Sequence, residues 1–252
     1  MNLSFYTATV GAHQQQRRLD VHANNIANLN TYGFRARVPS FSTLMSGEVM
    51  ATDEDYQRGV GARLIEDEMN LKSSGLIGTE RLLDFSINGS GFFMLRDPSS
   101  GGVSYTRSGS FSLMQYGPQT EQGKEFDIDK THHWYLSDDN GRFVLDRSGQ
   151  PIEFDITQDT DLRDVDFSNI GIFDWINHNG MTSDGGNQLG PVEKNGDLGL
   201  GEGELIQGYL ELSNADLANE MTKVIESQRS YQMLLRMITT SDEIETTVNN
   251  LR

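Results

Sequence analysis

Few side chains in this sequence are spaced for chemistry, and each candidate has a plainer reading. His132-His133 offers two imidazoles, but adjacent side chains diverge and no third ligand stands near, so a solvated loop pair is expected. Asp127 and Asp129 imitate the acid and base of a glycosidase, yet the chain carries 37 acidic against 20 basic residues, so such pairs arise throughout. Asp138-Asp139-Asn140-Gly141 hints at calcium but lacks the EF-hand spacing and reads as a hairpin turn. Gly199-Leu-Gly201-Glu-Gly203 has no strand–turn–helix context and is not a dinucleotide fingerprint. Trp134-Tyr135 and Trp175 read as core or hairpin aromatics rather than sugar platforms. There is no cysteine, which removes thiolate metal sites, disulfides and cysteine nucleophiles. The expectation is a protein with no catalytic group, no cofactor and no metal.

Amides are the chemistry that remains. Asn24, Asn25, Asn28 and Asn30 crowd one short stretch, followed by Thr31-Tyr32-Gly33-Phe34. Asparagine is a mediocre helix former because its side chain competes for nearby backbone groups. The surrounding spacing is nevertheless helical, with Phe5, Ala8, Ala12, Leu19, Ala23 and Ile26 as one candidate stripe. A helix over residues 1 to about 32 is expected, with amides on one face and Gly33 as its C-terminal stop. His13 to Arg18 interrupts the apolar seam, so this helix cannot bury much alone.

Composition sets limits on what such a helix can serve. A chain of 252 residues with 36% hydrophobic content can form a core but leaves much of itself solvated or buried against partners. A net charge of −17 with no basic cluster argues against nucleic acid and anionic membranes. The opening MNLSFYTATV has no basic start followed by an apolar run, and no stretch is long and apolar enough to cross a bilayer. Taken alone this reads as cytoplasmic, and a protein exported by a route without a cleaved leader would look the same.

The remaining elements follow from periodicity and turn chemistry. Residues 35 to about 74 read as extended structure with turns, including the acidic Asp53-Glu-Asp55. From about Leu82 to Gln207 short alternating strands are separated by Gly89-Ser-Gly91, Asp97–Gly102, Ser108-Gly109, Asn140-Gly141 and Arg147–Pro151. That spacing predicts an all-β barrel or sandwich, with residues 180–203 as loop or meander. After Ser213-Asn214, either of which would cap a helix, the period changes. Leu217, Met221, Val224, Gln228, Tyr231, Leu235 and Ile238 step by fours and threes, and Ile244, Val248 and Leu251 continue the stripe. The expected fold is mainly β with terminal α-helices. Residues 1–34 and 214–252 form a helical, coiled-coil-like inner domain, 35–81 and 204–213 connect, and 82–203 form the β domain with an insertion near 114–133.

Three stretches resemble the bacterial flagellar rod and hook proteins, the axial family of the basal body. They are Ala23–Phe34; Leu83–Phe93 with Tyr105–Phe111; and Gln207–Leu217 with Glu220-Met221 and Gln228–Gln232, in the family's order. The resemblance implies a rod subunit that polymerises through its terminal helices, forms the periplasm-spanning drive shaft and transmits torque for motility. It implies self-association, contact with other rod and hook axial proteins, and passage through the flagellar type III export apparatus. It leaves the distal and proximal rod members open. Assembly contacts are then expected at Asn24, Asn25, Asn28, Gly33, Phe34, Leu217, Met221, Val224, Gln228, Tyr231, Leu235 and Ile238. Structural motif positions are Asp84, Gly89, Gly91, Phe92, Tyr105, Thr106, Arg107 and Gly109. In a filament the amide face would satisfy several neighbours without a net charge to desolvate. A different reading of the β domain alone is a secreted protein that binds or hydrolyses cell-wall glycan.

Overall fold

The computed structural model describes residues 3–43, 47–49, 56–58, 62–115, 133–155, 167–178, 181–185 and 187–251. The expected insertion near 114–133 falls almost wholly outside these residues, as do His132, Asp127, Asp129 and the acidic run at 53–55. The chain is mostly β with one helix at each end, α1 (Leu3–Ala27) and α2 (Leu217–Asn250). It divides into two units. The first comprises Met1–Leu29, Arg35–Asn70 and Ala215–Arg252; the second comprises Asn30–Phe34 and Leu71–Asn214.

In the first unit the helices run antiparallel. Residue numbers fall along α1 as they rise along α2: His22 meets Glu220, Arg18 approaches Glu226, and Gly11 faces Leu234. A Cβ on Gly11 would stand 3.3 Å from the Leu234 side chain, so the backbone of α1 lies close against its partner there. Besides half-buried Lys223 and Ser230, the buried or half-buried positions of α2 are Glu220, Val224, Ser227, Tyr231, Leu234, Ile238 and Ser241. They alternate by four and three, as in a coiled coil. On α1, Ala8, Ala12, His22 and Asn25 are buried. Beside the helices, Arg37–Thr43 and Ala62–Met69 form an antiparallel pair, with a register shift between Pro39 and Phe41.

Two expectations about helix ends are corrected. α1 stops at Ala27, about five residues before the predicted end: Asn28 N–H makes the last helical bond, to the Asn24 carbonyl at 3.1 Å, where the Asn28 side-chain amide also donates at 2.9 Å, and Leu29 N–H then bonds the Ile26 carbonyl at 3.2 Å in a tighter turn. α2 is capped by Asp216, whose carboxylate accepts the Ala218 N–H at 3.0 Å, and not by Ser213 or Asn214. Asn214 is engaged elsewhere, donating its side chain to the Lys72 carbonyl.

The second unit centres on a 10-stranded sheet. Its main path runs through strands 153–155, 133–137, 143–144, 92–96, 103–106, 188–190 and 182–185, with 172–175, 198–200 and 112–115 joined at the sides. All of its pairings are antiparallel. Strands Phe85–Asn88 and Glu204–Gln207 pair separately, as do Leu76–Gly78 and Tyr209–Glu211. The hairpin expected at Asn140-Gly141 is present: Asp138 accepts the Asn140 and Arg142 N–H groups at 3.0 and 2.8 Å, so its carboxylate serves the turn. The core gathers Phe85, Ile87, Phe93, Leu95, Phe111, Leu136, Val144, Phe167, Ile170 and Ile172. Phe93 meets Phe111 edge to face at 5.2 Å between ring centres.

Strand 85–88 lies close against Gly109; Ser108-Gly109, expected as a turn between paired strands, instead joins strands 103–106 and 112–115, which pair with other neighbours. Phe85 donates its N–H to the Gly109 carbonyl at 3.0 Å, and a Cβ on Gly109 would fall 1.6 Å from the Phe85 carbonyl oxygen. No rotamer relieves a clash between Cβ and backbone. Gly109→Ala should therefore destabilise the second unit by about 2–4 kcal/mol, the cost of overpacking plus a displaced strand. A urea melt followed by tryptophan fluorescence would read it; an unchanged midpoint would contradict the close approach.

Candidate functional site: the helix seam and the junction segments

Asn25 answers why an amide is wanted on a helix. It is wholly buried in the first unit. Its Nδ2 donates to the Arg37 carbonyl at 2.8 Å, and its Oδ1 accepts the Arg37 N–H at 2.9 Å. The amide thus pairs with one residue's backbone as a neighbouring strand would, fastening the start of strand Arg37–Thr43 to α1. The same Nδ2 also reaches Glu220 Oε2 at 3.1 Å, across to α2. Asn24 is exposed and serves the helix end through its carbonyl, which the Asn28 side-chain amide also reaches.

Glu220 completes this cluster. Its carboxylate is 5% exposed and takes His22 Nδ1 at 2.6 Å, Asn25 Nδ2, and Lys223 Nζ at 3.1 Å. Burial alone would raise the Glu220 carboxyl, but the hydrogen bonds from Asn25, His22 and Lys223 outweigh it and hold the group below the ordinary glutamate value of 4.5. Neither His22 nor Glu220 was singled out as a site residue from the sequence. The available signal was positional: His22 follows Leu19 by three, and Glu220 precedes Val224 by four, each on its helix's inner line.

The other predicted positions on α2 divide between two flanks. Val224, Tyr231 and Ile238 are half-buried towards α1. Leu217, Met221, Gln228 and Leu235 are exposed, Met221 at 50% and Leu235 at 40%. Ile225, Met233, Met237, Ile244, Val248 and Leu251 are exposed as well. The inner line therefore mixes buried Glu220, Ser227 and Ser241 with half-buried Val224, Tyr231, Leu234 and Ile238, while other apolar side chains of the helix are left in water.

In the second unit, Gly33 and the motif positions meet around one buried ion pair. Gly33 has φ +67°, and a Cβ there would lie 2.4 Å from the Arg107 carbonyl carbon, so only glycine fits. Its N–H donates to the Glu211 carbonyl at 2.7 Å. Arg107 and Glu211 are both buried, with Nη1 to Oε2 at 3.4 Å. Arg107 also donates to the Ile87 and Gly89 carbonyls at 3.1 and 2.7 Å, and its guanidinium lies 5.4 Å from the Phe92 ring centre. Thr106 accepts the Ser108 N–H and donates to the Asn187 carbonyl. Tyr105 stacks edge-on against Trp175 at 4.2 Å, and burial pushes its phenol up. Phe34 is half-buried, and its carbonyl accepts the Asn214 N–H. Gly91 is buried, and buried Asp84 is 3.3 Å from Arg81 Nη1. Glu211 was the residue missed here; a lone glutamate in a strand gave no sign of burial. Among the described residues, no group of three or more His, Asp or Glu side chains is placed to hold a metal ion.

The Glu220 cluster gives a pH signature. A depressed carboxyl stabilises the folded form at pH values above its unfolded value, and that stabilisation is lost as pH falls through the lower folded value. The helix pair should therefore weaken as pH drops below 4.5. In Glu220→Gln that increment should be missing, making its helical melting temperature less sensitive to acid than the native chain's. Circular dichroism melts of both chains across pH 6 to about 3 would test this; parallel curves would contradict it.

Comparisons with known proteins agree with this arrangement. Family models match at residues 5–35 ("Flagella basal body rod protein"), 86–128 ("Flagellar hook protein FlgE/F/G D1 domain") and 206–251 ("Flagellar basal body rod FlgEFG protein C-terminal"). The chain is 30% identical to the flagellar basal-body rod protein FlgG of Buchnera aphidicola subsp. Baizongia pistaciae, over 96% of each chain. It is 30% identical to the FlgG of Bacillus subtilis, over 99% of this chain and 98% of that one. It is 28% identical to the flagellar hook-basal body complex protein FlhP of Bacillus subtilis, over 99% of each. The Asn25 clasp lies in the first matched stretch, the Arg107 anchor in the second, and Glu211 with Glu220 in the third, so the buried polar contacts join the matched segments within each unit. The chain belongs to the flagellar basal-body rod protein family.

Proposed function

We propose that this protein is a structural subunit of the bacterial flagellar basal-body rod, polymerising through its terminal helices into the shaft that transmits torque for swimming. One observation carries the reading. α2 already has α1 along one flank, yet Leu217, Met221, Leu235 and their neighbours are left in water on another. Burying such a side chain fully is worth about 1.5–3 kcal/mol, so a row of them is a strong adhesive once a partner surface arrives. Sibling subunits and other axial proteins of the rod and hook supply that surface. The function needs no catalytic group, metal or cofactor: torque is carried by many contacts that shear together. The subunit reaches the basal body by the flagellar type III export route. No observation on the described residues favours the glycan-binding alternative.

The test is replacement of the chromosomal gene, with basal bodies examined by electron microscopy. Loss of the gene should abolish complete rods and swimming, and the native chain should restore both. Leu235→Asp should fail to restore either. Because Leu235 is 40% exposed in the single chain, the same substitution should change the stability of the purified protein by only about 0.5–1 kcal/mol. Normal swimming with Leu235→Asp would show that this flank is not an assembly surface; normal rods without the gene would overturn the rod assignment.

A further inference from the structure

Three stretches of chain connect the second unit to residues of the first: Asn30–Phe34, the segment beginning at Leu71, and the segment ending at Asn214. Within the second unit the segment ending at Asn214 is stitched to each of the other two. Gly33 N–H donates to the Glu211 carbonyl at 2.7 Å, and Asn214 N–H donates to the Phe34 carbonyl at 3.3 Å. Leu212 N–H donates to the Gly75 carbonyl at 3.0 Å, and Asn214 Nδ2 donates to the Lys72 carbonyl at 3.0 Å. Ser74 Oγ donates to the Leu212 carbonyl. The Glu211 carboxylate binds on two sides. Oε1 accepts Ser73 Oγ at 3.3 Å and the Ser74 N–H at 3.4 Å, while Oε2 faces Arg107. Arg107 in turn is fixed to the Ile87 and Gly89 carbonyls beside the core.

We infer that Glu211 is the positioning residue of a neck in which the three connecting segments open and close as one cooperative unit, anchored to the β core through Arg107. Three chains cross-linked by hydrogen bonds resist sliding past one another. A load entering along any one of them is shared by all three before it reaches the sheet. The mechanical use of this neck rests on the rod-subunit reading; its cooperativity does not. A local unit of this kind exchanges its amide hydrogens together, because they are exposed by a common opening.

Hydrogen exchange on the full-length chain tests it. The reporters are the N–H groups of Gly33, Ser74, Leu212 and Asn214, with Leu145 and Ile152, bonded to Met94 and Val144 in the β body, as references. In the native chain the four should exchange with one common opening free energy. In Glu211→Gln, which keeps the shape and loses the charge, all four should speed up together by about tenfold or more while the references hold. Asn214→Ala removes the amide that reaches Lys72, away from the core, and should release the same set; it decides the question if Glu211→Gln does not fold. Unrelated native rates, or acceleration confined to the substituted residue's own partners, would overturn the inference. In cells, Asn214→Ala should still build basal bodies but lose swimming speed more steeply than the native strain as medium viscosity rises. Matching viscosity curves would overturn the load-bearing role. Failure of the native chain to restore rods would instead count against the rod reading and leave the exchange result standing.

Discussion

A carboxylate cannot be carried between two helices unless donors meet it there, and the first unit is arranged around that requirement at Glu220. An unpaired charge in such a place is costly enough to push the helices apart. His22 and Asn25 from α1 and Lys223 from the next turn of α2 converge on it. Because Asn25 also holds the Arg37 backbone, one cluster fixes the antiparallel register of the helices and the start of the strand pair beside them. Small residues add to this: Ala8, Ala12 and Ser227 are buried, and Gly11 lets the Leu234 side chain lie close against α1. Hydrogen bonds thus help to specify the helix pair, and Leu217, Met221, Ile225 and Leu235 are left exposed for another use.

The second unit applies the same physics in a different place. Arg107 and Glu211 are buried together, and each satisfies backbone or hydroxyl groups besides its partner. Gly33 exists as glycine because the Arg107 backbone occupies the space its Cβ would need. Residues far apart in sequence therefore depend on one another here: the end of the amide-rich stretch, the Tyr105–Gly109 segment and the strand before α2. An apolar core of phenylalanines behind them supplies the stiffness, while the ion pair determines where the connecting chains leave it.

The order of helix, strands and helix was legible because periodicity and turn chemistry are local. Asn140-Gly141 predicted its hairpin, and the four-three spacing predicted α2. What the sequence concealed was which flank of α2 faces α1. Apolar spacing ran across both sides: Val224, Tyr231 and Ile238 are half-buried and Leu217, Met221 and Leu235 exposed, whereas the fully buried positions are Glu220, Ser227 and Ser241. Polarity misleads where hydrogen bonds replace the hydrophobic effect, and the partners that make those bonds lie some two hundred residues away. The end of α1 was missed for a related reason: Gly33 looked like a helix stop, but its conformation serves contact with Arg107. Asn25 was singled out by its type, yet nothing local announced that its partner is a strand backbone.

The central claim is that the outer flank of α2 is open in the single chain and closed by other subunits in the rod. The chain's lack of cysteine makes this directly measurable. Met221→Cys, in cells that still swim, places one thiol on that flank. A maleimide should label it readily in the purified subunit and poorly in intact isolated basal bodies. Equal labelling in both would contradict the account.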